Sequence, residues 1–309
     1  MTAGTVASVA MESTWRPPAG GSLVLLNSIG SDERAWRWLG IEGAVPVAYP
    51  GHGGRPRWPG WRHEDIADEV AATADGPLDL LGVALGGLIA LQVLARHPGR
   101  VRSAIIASGG SVRGAAEPGS AEPGSAEPGA AEPGTAADGV AARLAAVRKA
   151  AADRGERALR SGLAAVADET IERWFTPFAV RTGHPGVEYA RATLTAMDPA
   201  AWNDAWLSVA GASLISAQDA AAIGVPVTLV GGMHDRSSGL AGLTGLHWLI
   251  RRSRLEILPA PHMVHLEQPE NLRTSIERHF AWMGTGNRVE RPISSPGWPN
   301  RGVTDGGRS

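Results

Sequence analysis

Apolar, β-branched runs alternate along the chain with stretches of helical period, the pattern of a mostly parallel sheet covered on both faces. Six runs read as buried strands: residues 22–27 (SLVLLN), 44–49 (AVPVAY), 77–84 (PLDLLGVA), 102–108 (RSAIIAS), 225–232 (VPVTLVGG) and 254–259 (RLEILP). An edge strand is expected near 5–11. A helix starts directly after residue 84, where Leu85, Leu88, Ile89, Leu91, Val93 and Leu94 form a wide apolar face. A second helix is expected over 271–283.

Two stretches break this rhythm. Residues 115–136 contain four AEPG units at a five-residue period. Proline removes backbone donors, glycine adds chain entropy, and alanine is the largest apolar group on offer, so a disordered linker is expected. The tail 284–309 is polar and rich in Gly and Pro, and is expected to be flexible. Residues 137–220 read as helices, with a break near Gly155. Placed between two late strands, they form a lid over the strand carboxyl ends, where open α/β sheets hold ligands. The predicted organisation is a core in two parts, 1–114 and 221–283, with linker and lid between them.

Composition narrows the function. At 309 residues the chain can bury a large core. A formal charge of −2 argues against nucleic acid or an anionic membrane as a required partner. There is no cysteine, hence no disulfide, thiolate metal site or cysteine nucleophile, and Lys149 is the lone lysine. No secretory leader is expected, and no run reaches roughly 18–20 apolar residues. These features predict a soluble cytoplasmic protein.

The stretch 82–86, GVALG, has the shape of the G-x-S-x-G strand-to-helix turn, with Ala84 where the serine stands. Small residues are needed at Gly82 and Gly86 because side chains there meet neighbouring backbone. The other ordered motifs are LLNSIGSDERAW (25–36), GHGG (51–54), ARHPGRV (95–101), RWFTP (173–177), DPAAW (198–202), GGMHD (231–235) and APHMVHLEQPE (260–270). With this series, from about Ser22 to about Ala281, the chain resembles the α/β-hydrolase superfamily, and most closely the 3-oxoadipate enol-lactonases. The resemblance implies an α/β-hydrolase fold, a mostly parallel sheet flanked by helices with a helical lid insertion.

It also implies roles. Asp235 and His262 match the acid and the histidine, in the family's order of elbow, acid, histidine. The N–H groups of Leu85 and Ile29 match the oxyanion donors, with Ser28 as second choice for the latter. Ser31 or Asp32 caps the turn that follows. Trp174 and Phe175 are assigned to the pocket or the lid core. A dicarboxylate lactone needs a cation, for which Arg55, Arg173 and Arg181 are candidates. His234, His265 and Glu267 read as surface or structural residues. A metal site from His234, Asp235, His262 and His265 lacks ligand spacing and is set aside. No cofactor is implied.

Three features depart from the family: Ala84 cannot be acylated, Ala48 stands where relatives often carry an aspartate before the GHG turn, and the AEPG insertion at the lid boundary is unusual. An oxyanion hole and a His–Asp pair can still deprotonate a water, or take a proton from substrate carbon. The open alternatives are an inactive ligand-binding homologue and a deliberate serine-to-alanine replacement in an ordinary lactonase or esterase.

Overall fold

The computed structural model describes residues 14–111 and 133–284. The strands are β1 (Ser22–Leu26), β2 (Val45–Val47), β3 (Leu78–Val83), β4 (Val101–Ala107), β5 (Val227–Gly232) and β6 (Ser253–Leu258). They form one parallel sheet in the order β2-β1-β3-β4-β5-β6. All six coincide with predicted runs. β1, β3 and β5 are buried almost throughout, as central parallel strands covered on both faces must be. The edge strand expected over 5–11, most of the AEPG linker and the tail beyond Gly284 lie outside the described residues.

Helices α1 (His63–Ala71) and α2 (Leu85–Arg96) precede β4. Between β4 and β5 lie α3 (Pro133–Ser161), α4 (Leu163–Trp174), α5 (Pro177–Thr182), α6 (Pro185–Ala196), α7 (Pro199–Ala210) and α8 (Ala217–Ala222). Then follow α9 (Ala241–Leu249), α10 (Val264–Glu267) and α11 (Pro269–Gly284). One apolar cluster joins α1 and α2 to the inserted helices, and a second packs Leu25, Leu81, Ile105 and Val230 against Ile276 and Phe280 of α11.

The helices differ from the sequence reading in two places. α3 begins at Pro133, inside the stretch expected as linker; a proline in the first turn lacks only an N–H that the helix does not use. The break expected near Gly155 falls instead at Gly162, whose φ of 78° only glycine adopts readily. Gly155 stays helical because α7 crosses there: a Cβ would press on Asn203 and on the Trp206 side chain. The glycine marks a close helix contact, not an end.

Four histidines are buried as neutral rings. Burial holds His52 and His63 down to about 4, and His265 and His279 down to about 3. In the unfolded chain each protonates near the ordinary value of about 6.5. The unfolded state therefore binds more protons between pH 6.5 and about 4, and stability present above 6.5 is lost as pH falls through that window. Each ring contributes a slope of up to about 1.4 kcal/mol per pH unit there. Urea unfolding from pH 7.5 to 5 is expected to show a steep fall in stability. His265→Phe, which keeps a ring against Trp36 (centroids 5.3 Å apart), should make that fall shallower by about one proton. An unchanged slope would exclude His265 as a contributor.

Candidate active site

Strand β3 turns into α2 through Ala84, at φ 53° and ψ −111°. This is a strained conformation for a residue with a Cβ, costing of order 1–3 kcal/mol, and it persists because its surroundings leave no alternative. A Cβ on Gly86 would strike the Leu26 carbonyl, and one on Gly82 would strike the Gly86 carbonyl. The Ala84 N–H donates to Ala107 O at 2.9 Å, pinning the turn to β4. Leu85, the first residue of α2, has no carbonyl four residues back within the helix to accept its N–H. That donor stands at the carboxyl end of the sheet.

The loop after β1 is held from both sides. Asn27 Nδ2 donates to Val47 O at 3.3 Å, and Trp36 Nε1 donates to Asn27 Oδ1. Ser31 Oγ donates to Ser28 O at 2.9 Å, and Asp32, not Ser31, caps the following turn by accepting from Arg34 N. The Gly30 N–H donates to His52 Nε2 at 3.2 Å, while His52 Nδ1 lies 3.1 Å from Pro50 O. A neutral ring donating from Nδ1 and accepting at Nε2 satisfies both contacts. His52 of the GHGG stretch thus braces the loop that carries Ile29. Trp174 and Trp202 close over the same loop, since a Cβ on Gly30 would touch both rings.

Asp235 and His262 meet beyond β5 and β6. His262 Nδ1 lies 3.1 Å from Asp235 Oδ1 and 3.0 Å from Oδ2. Oδ1 also accepts the N–H groups of Ser237 (2.7 Å) and Ser238 (3.0 Å), which fixes the carboxylate in its turn. Burial raises the Asp235 pKa, but the hydrogen bond and charge of His262, with the Ser238 and Ser237 N–H groups, outweigh it and hold the acid below its usual value. A charged carboxylate on Nδ1 makes Nε2 the basic nitrogen of a neutral His262.

Three contacts were not legible in the chain. Ser238 Oγ donates to Ser108 O at 3.1 Å, tying the Asp235 turn to the end of β4. Ser108 shares with Ala84 a positive φ (50°), and its buried hydroxyl has no partner among the described residues. Glu267, downstream of His262, accepts from Thr176 N at 2.9 Å and from Thr176 Oγ1 at 2.6 Å, while Met263 N donates to Trp174 O at 3.1 Å. The histidine loop is therefore fastened to the end of α4 and the start of α5.

The remaining candidates separate. Trp174 stands against Gly30, whereas Phe175 is fully buried in the apolar core. Arg55 is committed to Glu69 through two 2.8 Å bonds, and Arg181 is exposed at the end of α5. Arg173 is half-buried and makes no ion pair with a described residue. His234 is exposed, and His265 is buried against Trp36. A cavity of about 560 Å³ opens beside Gly30 and His52, toward Asp32, Arg57, Met197 and Asp198; neither Ala84 nor the His262–Asp235 pair lines it.

Comparison with known proteins bears on the family and the fold. The model of the alpha/beta hydrolase family matches residues 23–274, and the chain belongs to that family. Over 71 residues it is 46% identical to a pimeloyl-[acyl-carrier protein] methyl ester esterase of Neisseria meningitidis, a match over 23% of this chain and 28% of that relative. The chain thus covers little more than a quarter of that relative's length. Its fold is similar to that of a thermophilic esterase from Thermogutta terrifontis (TM-score 0.67, 18% identity, 86% of this chain and 92% of that one). It is also similar to the enol-lactonase from Burkholderia xenovorans LB400 (TM-score 0.64, 19% identity, 85% and 92%). Among the described residues, no helix is long and apolar enough to cross a membrane.

Thr176→Val leaves the buried Glu267 carboxylate without its hydroxyl donor. Unfolding in urea should show a loss of about 1–3 kcal/mol, largely recovered in Thr176→Ser. Equal stability of Val and Ser variants would remove the fastening role.

Proposed function

We propose that this chain is a carboxylic ester or lactone hydrolase that works without an acyl-enzyme. The observation that carries the reading is the Asp235–His262 pair at 3.0 Å, kept with a strained strand-to-helix turn whose Ala84 offers no hydroxyl. A binding protein has no use for a carboxylate-oriented imidazole.

In this reading the inserted helices act as the lid, Trp174 beside Gly30 belongs to the wall around the substrate, and Phe175 fills the lid core. The substrate carbonyl oxygen sits between the N–H groups of Leu85 and Ile29, where the methyl of Ala84 leaves room for a water. His262 Nε2 takes a proton from that water as its oxygen bonds to the carbonyl carbon. The tetrahedral oxyanion is held by the two N–H groups, preset by the elbow and by the His52-braced loop, so no reorganisation is needed as charge develops. Asp235 stabilises the imidazolium through Nδ1. Collapse breaks the bond to the leaving oxygen, which takes the proton from Nε2, and free acid is released. Without covalent catalysis this route is slow, so it suits activated acyl groups. An enol lactone, to which the family resemblance points, is one. A methyl ester of a carrier-bound acid, named by the relative from Neisseria meningitidis, makes a harder test.

The second reading is a ligand-binding homologue that has lost turnover. It is favoured by Ala84 itself, which is buried as a member of the apolar cluster that also holds Ala260 and Val264.

Turnover of 3-oxoadipate enol-lactone by this chain, A84S and H262A separates the two. The hydrolase reading expects slow hydrolysis by this chain, lost in H262A, and an increase of about 10³-fold or more in A84S. Equal rates for this chain and H262A would sink water attack through the dyad. Tight binding of the lactone without turnover would then favour the binding protein.

A further inference from the structure

The cavity beside Gly30 and His52 carries charge that the dyad does not use. Its walls come from the loops after β1 and β2 and from the junction of α6 and α7. It therefore lies outside the carboxyl ends of two parallel strands, where such sheets hold ligands. Its volume of about 560 Å³ falls within the roughly 300–1,000 Å³ of small-molecule sites. The GHGG stretch shapes it. A Cβ on Gly51 would strike Ala201, so its absence seats α7 against the cavity. A Cβ on Gly53 would strike the Glu33 carboxylate, so its absence lets Glu33 lie across that loop. Both glycines have a positive φ (77° and 56°), which disfavours any other residue there.

The charges lining the cavity do not balance. Three guanidiniums face it, and each is consumed. Arg34 Nε donates to Asp32 Oδ1 at 3.0 Å, Arg57 donates to Asp204 at 2.5 and 3.2 Å, and Arg55 is closed off by Glu69. Two lining carboxylates are left over. Glu33 is exposed and forms no hydrogen bond or ion pair with a described residue. Asp198 caps α7 by accepting from Ala200 N at 2.8 Å with Oδ1, and its Oδ2 has no partner among the described residues. One wall thus sets Asp32 and Glu33 against Arg34, and the other sets Asp198 and Asp204 against Arg57. Each wall has one carboxylate more than it has guanidiniums. His52 adds no charge, since burial holds its pKa down to about 4. The N-terminus of α7 returns roughly half a positive charge, so the cavity stays negative. The excess is spread across the cavity: among the described residues, no three of His, Cys, Asp and Glu gather as a metal ion requires. The occupant that answers it has a cationic group at each of two ends.

We propose that this cavity is a second ligand site, for a linear aliphatic diamine whose two ammonium groups sit on Glu33 and Asp198. An ammonium group brings three donors and no acceptor, and its bonds to a carboxylate are charge-assisted. The methylene chain between them runs past Met197, which also lines the cavity. His52 and Gly30 form part of the wall, so the occupant touches the bonded pair that braces the Ile29 loop. The site rests on groups outside the dyad and stands whether or not Asp235 and His262 turn over substrate.

Titration calorimetry on the full chain at neutral pH compares 1,4-diaminobutane, 1-aminobutane and 1,4-butanediol at matched ionic strength. The site expects one saturable binding event for the diamine, binding at least tenfold weaker for the monoamine, and none for the diol. E33Q and D198N should each weaken the diamine at least tenfold. Asparagine still caps a helix, so D198N keeps the α7 terminus, and Glu33 has no bonded partner to lose. Amide shifts on diamine binding, expected at Gly30, Gly53 and Gly54 in nitrogen-15 spectra, locate the occupant independently of affinity. Absence of a saturable response to the diamine overturns the proposal, as does undiminished binding in the E33Q/D198N double variant. A monoamine or diol that binds within tenfold of the diamine overturns it too, and so do amide shifts confined to other parts of the chain. If D198N unfolds early, E33Q alone decides. None of these readouts depends on hydrolysis, so failure of the hydrolase reading is told apart from failure of this one.

Discussion

The close crossing of the β3–α2 turn over the end of β1 is the constraint on which the site depends. The backbone at Gly86 lies against the Leu26 carbonyl, and that at Gly82 against the Gly86 carbonyl, closer than any side chain permits. With α2 seated there, its first N–H and the loop after β1 are both delivered to the carboxyl end of the sheet. Residue 84 is forced to a positive φ as the consequence. Alanine bears this strain as serine would, since the cost arises at Cβ and not at the hydroxyl. The turn therefore forms with an alanine at its apex.

Around that crossing, polar bonds tie the inserted helices to the core. Thr176 bonds to Glu267, and Trp174 O accepts from Met263, both beside His262. Tyr189 donates to Asp32 Oδ1 at 2.8 Å, at the cap just past the Ile29 loop. Arg57, beyond the GHGG turn, bonds to the buried Asp204 of α7 at 2.5 Å. These ties begin on the loops that follow β1, β2 and β6. A shift of the inserted helices thus reaches the loop after β1 and His262 together.

Much of the architecture is legible in the chain because its signals are local. Buried parallel strands read as unbroken apolar runs, and all six fall where the runs are. The elbow is readable from Gly82 and Gly86, which exist for a contact any side chain would block. Asp235 and His262 are reached through the resemblance to the family's order of elbow, acid and histidine, and the fold brings them within 3.0 Å. Helices are less legible where tertiary contacts override propensity. Gly155 reads as a stop and is instead the point where α7 touches α3, while the stop at Gly162 rests on a backbone angle without a distinctive neighbouring pattern.

What the sequence determined by itself is the order of elements, the tight turn at residue 84, and the absence of any hydroxyl there. Each is a property of a few consecutive residues and their steric limits. The tertiary structure alone decided which side chains pair. It gave Arg55 to Glu69 and Arg157 to Glu169, set His52 behind Gly30, and linked Ser108 through Ser238 to Asp235. Those outcomes depend on distances between segments far apart in the chain. Spacing along one segment does not fix them, because a charge or a ring takes whatever partner the packed fold brings within about 3 Å.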